Sequence, residues 1–117
     1  MYSFDKFHEL VSQTIDNNPF SKSPVELYEP MDYILNIGGK RIRPILTLLG
    51  TDLFDGDIEK ALKPSLAIEF FHNFSLMHDD IMDNASLRRS KPTVHEKYGL
   101  NDAILSGDAM LIKAYQY

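Results

Sequence analysis

The run His78-Asp79-Asp80-Ile81-Met82-Asp83 sets three carboxylates at the end of the most apolar stretch of the chain. On a helix, Asp79 and Asp83 lie four apart on one face, and Asp80 lies about 100° round from Asp79. Like charges one turn apart repel, and carboxylates among apolar neighbours are costly to bury unpaired. A hard divalent cation relieves both problems. Mg²⁺ takes one or two carboxylates, keeps several waters and holds substrate phosphates at its remaining positions. A lone acidic helix end is ordinarily just solvated, so the surroundings decide. Counting back at helical spacing, His72, Ser75, Asp79 and Asp83 form a polar stripe about 16 Å long on an otherwise apolar rod.

The basic residues are also gathered. Six of the 12 Lys and Arg residues fall in two short runs, Lys40-Arg41 with Arg43 and Arg88-Arg89 with Lys91. The first follows Gly38-Gly39 and precedes Pro44, where a helix would start. Free N–H groups and the helix dipole favour phosphate there. Lys40 and Arg43, three apart, would face one way and Arg41 another. Arg88 and Arg89 follow Asp83 on a polar loop, and guanidinium forks suit phosphate oxygens. A metal-ready acidic patch beside two basic segments points to a diphosphate.

The elements that carry these residues read as helices. Phe4, Phe7, Leu10, Val11, Thr14 and Ile15 recur at helical spacing, with Ser3 as N-cap and Asn17-Asn18-Pro19 as the stop. Ser23-Pro24 predicts a second helix, with Ser23 capping and Pro24 in the first position, and Gly38-Gly39 ends it. Arg43-Pro44 predicts a third over Ile45 to Phe54. Asp57 caps a fourth over Ile58 to about Asn84, or one starting at Pro64. Its residues Leu66, Ile68, Phe70, Phe71, Phe74, Leu76, Met77, Ile81 and Met82 leave little polar surface, as in the central helix of a bundle. Ala85 to Thr93 reads as a loop. Asn101 or Asp102 caps a last helix from Ala103. No β alternation is evident, so the fold class expected is all-α.

Composition bounds the function. The 117 residues are 44% hydrophobic and 25% charged, which is ordinary for a globular domain. A net charge of -5 argues against nonspecific nucleic-acid binding. The absence of cysteine excludes disulfides, thiol catalysis and Cys-based zinc sites. No apolar run reaches the roughly 18 to 20 residues of a membrane span. The start, Met1-Tyr2-Ser3-Phe4-Asp5-Lys6, shows no signal peptide, so a cytoplasmic setting is expected. The stretch Leu111 to Tyr117 reads as the middle of an apolar helix without a C-cap, so either the helix ends raggedly or the sequence is part of a longer one.

Taken in order, Gly39-Lys40-x-x-Arg43-Pro44, Glu69-x-x-His72-x-x-Ser75-Leu76-x-His78-Asp79-Asp80-x-x-Asp83, Arg88-Arg89 and Pro92-Thr93-x-His95 resemble the trans-isoprenyl diphosphate synthases, or polyprenyl synthetases. The likeness spans about residues 36 to 110 and implies the N-terminal part of an isoprenoid-synthase-type helical bundle. Residues 1–117 would then be one portion of a single domain. The resemblance implies that Asp79 and Asp83, with Asp80 alongside, bind Mg²⁺ that grips an allylic diphosphate, and that Arg88 contacts the same group. It implies that Lys40, Arg43, His72 and Arg89 hold isopentenyl diphosphate. The reaction implied is ionisation of the allylic ester, attack by the isopentenyl double bond and loss of a proton.

Phe74, five residues before Asp79, resembles the aromatic stopper of short-chain (farnesyl or geranylgeranyl) members, with the small Ser75 beside it. By helix arithmetic it lies about 7.5 Å below Asp79 and about 140° round from it, so its depth fits a tunnel floor while its direction is open; ordinary core is the competing assignment. Two departures stand out. Ser90 occupies a position where the family usually has Gly, and a positive φ there would strain it. A second aspartate-rich motif is absent, since Asp102 and Asp108 are isolated. The chain alone is therefore expected to be inactive, and the resemblance implies a homodimer for the full-length protein. A catalytically incomplete helical partner or regulatory subunit is the alternative. A metal phosphohydrolase is disfavoured because His8, His72 and His95 lack tandem metal spacing.

Overall fold

The computed structural model describes residues 3–20 and 22–117. Among the described residues, six helices run in the order α1 (Phe4–Asn17), α2 (Val25–Asn36), α3 (Ile42–Leu53), α4 (Ile58–Met82), α5 (Val94–Tyr98) and α6 (Leu100–Gln116), with a small hairpin of β1 (Leu87–Arg88) and β2 (Lys91–Pro92) between α4 and α5. The all-α expectation holds. Capping explains the first boundaries. Ser3 accepts from the Lys6 N–H at 3.2 Å to start α1, and Asp57 accepts from the Lys60 N–H at 3.3 Å to start α4.

Several boundaries differ from the sequence reading. Pro24, extended at φ -79° and ψ 139°, is itself the N-cap of α2, so Ser23 is not. α3 begins at Ile42, ahead of the expected Ile45, and puts Pro44 in its first turn, where a missing N–H costs nothing. α4 runs straight through Pro64, its seventh residue, because the packed helix tolerates one lost backbone bond. α6 begins at Leu100 after Gly99, so neither Asn101 nor Asp102 caps it.

The 25-residue α4 lies centrally. It packs against α6 and α3, and touches α1, α2 and α5. Phe7 and Val11 of α1, Met31 and Ile34 of α2, Ile45 and Leu48 of α3, Leu66, Phe70 and Met77 of α4, and Met110 of α6 form one buried core. The Phe70 ring meets Phe20 edge-on at 5.0 Å and Tyr117 at 4.8 Å, an arrangement that favours aromatic quadrupoles. Large apolar side chains remain open to solvent on α6, where Leu105, Ile112 and Tyr115 are exposed, and at the end of α3, where Phe54 is 82% exposed. Among the described residues no helix is long and apolar enough to cross a membrane.

The hairpin is the one feature of the loop that alternation did not foretell, because two-residue strands are too short to show a period. Leu87 pairs with Pro92 and Arg88 with Lys91, leaving Arg89-Ser90 as the turn. Both turn residues have positive φ, 49° and 66°, as expected of the primed turns that match strand twist. Thr93 closes the base through its hydroxyl to the Ala85 carbonyl at 2.9 Å. Ser90 thus carries the strain anticipated from its position. Ser90→Gly should raise stability by about 0.5 kcal/mol, the left-handed cost of roughly 1–2 kcal/mol less the extra chain entropy of glycine. Urea denaturation measures this, and a drop in the midpoint would contradict it.

Candidate functional site

Two arginines adjacent in sequence leave the hairpin in different directions because Arg88 ends β1 while Arg89 is the first residue of the turn. Arg88, on β1, reaches α4 and forks onto Asp80: Nε donates to Oδ2 and Nη2 to Oδ1, both at 2.8 Å. Asp80 is 5% exposed, so this pairing offsets the desolvation of its charge. The same hydrogen bond, with the Asp80 and Asp79 charges, raises the Arg88 pKa against the opposing effect of burial. Arg89, at the turn, donates instead to the Gly38 carbonyl at the end of α2. Its guanidinium lies over Gly39, where a Cβ would stand 3.0 Å from Nη2. Gly39 has φ +147°, so both the backbone and the close approach call for glycine there.

That approach closes one side of a cleft of about 420 Å³ lined by Gly39, Lys40, Ile42, Arg43, His72 and Arg89, with Arg41 and Glu69 at its floor. Lys40, Arg43, His72 and Arg89 come from three separate segments, and the fold brings all four together. Arg43 Nη1 is 3.2 Å from His72 Nε2. Burial, then the Arg43 charge, lowers the His72 pKa; Glu69 opposes this, and Arg89 and Arg88 add to the lowering. A neutral imidazole that receives from Arg43 orients the guanidinium, and an incoming anion would favour its protonation. Ile42 and Arg43, the first two residues of α3, line this cleft, so the helix dipole adds to its positive character.

The Arg41 side chain turns inward, away from the face shared by Lys40 and Arg43, as their three-residue spacing implied. It is 8% exposed, and Nη1 lies 3.4 Å from Oε1 of the buried Glu69. Asn73 donates to the same Oε1 at 2.9 Å. This interior pair had no signal beyond the place of Glu69, three residues before His72.

On the acidic face, Asp79 and Asp83 are exposed and one turn apart, joined by the helical bond from the Asp83 N–H to the Asp79 carbonyl at 2.8 Å. Among the described residues neither side chain has a hydrogen-bond partner, and no three His, Asp or Glu side chains stand close enough to enclose an ion. Two unengaged carboxylates fit a hard cation that completes its shell with water and ligand oxygens. Asp80 stands apart from them, with both oxygens on Arg88. The expected polar stripe is partly spent: Ser75 is half-buried and its hydroxyl donates to the His72 carbonyl at 2.6 Å. Phe74 packs edge-on against Phe71 at 5.6 Å and His78 at 4.9 Å, on the side of α4 that meets α6. His95, on α5, does not line the cleft.

Comparison with known proteins adds to this geometry. The polyprenyl synthetase family model matches residues 24–117. A geranylgeranyl diphosphate synthase of Sulfolobus acidocaldarius is 44% identical over 99% of this chain and 36% of its own length. One from Cyanophora paradoxa is 45% identical over 93% of this chain and 37% of its own. A crystal structure of a geranylgeranyl pyrophosphate synthase superposes with a TM-score of 0.95 at 44% identity, covering 99% of this chain and 36% of that one. The chain therefore spans little more than a third of the length of these relatives.

Proposed function

The chain belongs to the polyprenyl synthetase family, and on that premise we propose that it carries the isopentenyl diphosphate cleft and the first metal-binding carboxylates of a prenyltransferase. The single observation behind this reading is the convergence of Lys40, Arg43, His72 and Arg89 on one cleft, two turns along α4 from the exposed pair Asp79 and Asp83. The cleft residues bind and orient the diphosphate of the nucleophilic substrate. Asp79 and Asp83 are the residues that would hold Mg²⁺, with Asp80 alongside them, both of its oxygens engaged by Arg88. When bound, that ion supplies charge to the departing allylic diphosphate. Arg88 adds a fixed cation on the same side, where pre-positioned charge stabilises the leaving group as it forms. The apolar walls of α4 keep water from the allylic cation.

The relatives named above support a short-chain product. Phe74 is the chain-length residue in this reading, with Ser75 beside it. Phe74→Ala should lengthen the main product by at least one isoprene unit in an active enzyme, read by chromatography of the dephosphorylated alcohols. An unchanged product would assign Phe74 to ordinary packing with Phe71 and His78. A homodimer in the cytoplasm completes the proposal.

A chimera tests the function: residues 1–117 continued by the remaining part of the Sulfolobus acidocaldarius relative. It should elongate an allylic diphosphate with isopentenyl diphosphate only when Mg²⁺ is present, while residues 1–117 alone should not. A folded chimera that binds isopentenyl diphosphate yet never elongates would favour a regulatory partner instead.

A further inference from the structure

Between Lys40 and Arg43 the chain does something the cleft itself does not explain. Arg41 adopts the left-handed conformation, φ 54° and ψ 34°, immediately before α3. Non-glycine residues seldom hold that conformation without support from their surroundings. The support is on the inner side. Arg41 Nη2 donates to the Leu35 carbonyl at 2.5 Å, near the end of α2, while Nη1 faces Glu69 of α4 at 3.4 Å. Glu69 is held in turn by Asn73. One guanidinium thus ties the end of α2, the start of α3 and the middle of α4.

The turn has a directional effect. With the Arg41 side chain drawn inward, Lys40 on one side and Arg43 on the other remain exposed, and both line the cleft. The Arg41 carbonyl accepts the Ile45 N–H at 3.1 Å, so the first turn of α3, and with it Arg43 opposite His72, is registered from Arg41. Glu69 lies one turn before His72 on α4. The pair therefore holds both halves of the Arg43–His72 contact from beneath.

We infer that Arg41 and Glu69 are positioning residues for the anion cleft: they set where Lys40, Arg43 and His72 stand without themselves engaging the ligand. The inference rests on the reading of the cleft as a diphosphate site. Lysine cannot reproduce the two-pronged contact of Arg41, and glutamine keeps the size of Glu69 while removing its charge.

Isothermal titration of inorganic pyrophosphate into the full chain, with thermal melts and NMR of the His72 ring, tests it. Wild type should bind, and Arg43→Ala should bind more weakly. Arg41→Lys and Glu69→Gln should each weaken binding by at least about tenfold, the scale of a misplaced binding group, while melting cooperatively and shifting the His72 ring signals before ligand is added. Wild-type affinity in both variants would overturn the inference while leaving the cleft reading intact. Loss of a cooperative melt in both would also overturn it, since the pair would then be general scaffold. If wild type fails to bind, or Arg43→Ala binds as wild type does, the cleft reading fails and the inference falls with it.

Discussion

Asp79→Ala and Asp83→Ala should each lower Mg²⁺-dependent chain elongation by at least about 100-fold in the chimeric enzyme, the scale seen when one preorganised stabiliser of leaving-group charge is removed. The expectation follows from their setting. Both are exposed, Asp79 in the last turn of α4 and Asp83 at its C-cap, and among the described residues neither side chain has a hydrogen-bond partner, so truncation leaves no buried charge and little reason to unfold. A loss of rate would then report ligand chemistry and not folding. Asp80→Ala should behave differently. It strands the half-buried Arg88 guanidinium, which loses two bonds of 2.8 Å, and should lower stability as well as rate. Melting curves beside initial rates separate the two classes. Full turnover by Asp79→Ala or Asp83→Ala would end the metal-binding role.

Gly107→Ala should reduce stability by about 1–2 kcal/mol, although alanine favours a helix over glycine by about 1 kcal/mol. A Cβ at Gly107 would stand 2.5 Å from His78 Nε2 and 2.7 Å from Cδ2. The ring is not free to yield, because Nε2 also lies 3.2 Å from the Ile104 carbonyl and its edge packs on Phe74. The clash is therefore specific to one pair. In a His78→Ala background the obstacle is gone, and Gly107→Ala should become neutral or stabilising by up to about 1 kcal/mol through helix propensity. Chemical denaturation of the four-member cycle reads the sign change. If Gly107→Ala costs the same in both backgrounds, the close approach of α6 to His78 is not its cause. Since His78 directly precedes Asp79, the single variant should also disturb the acidic face.

Much of this was open to a reading of residue types alone, and the reason is local geometry. Asp79 and Asp83 share a face because helices repeat every 3.6 residues, and Asp83, the C-cap just past α4, still donates its N–H to the Asp79 carbonyl. The inward course of Arg41 was half legible: its neighbours at Lys40 and Arg43 excluded it from their face, but its left-handed backbone and its partner Glu69, 28 residues away, depend on tertiary packing. The Arg88–Asp80 fork was hidden for a related reason. It needs a two-residue turn with both φ values positive at Arg89 and Ser90, conformations that neither residue type announces. Gly107 was invisible as a requirement because an isolated helical glycine gives no hint of the side chain it makes room for.

The Arg88–Asp80 fork has an arithmetic consequence for charge. The acidic run carries three formal negative charges, but one is already balanced within the fold. The exposed pair, Asp79 and Asp83, presents two. One divalent ion therefore brings this face to electroneutrality, and a second would leave it with a surplus of positive charge. If the face binds metal as proposed, any further ion would need to arrive with an anion of its own. On the proposed reading, loading of additional cations would be coupled to the diphosphate that they accompany.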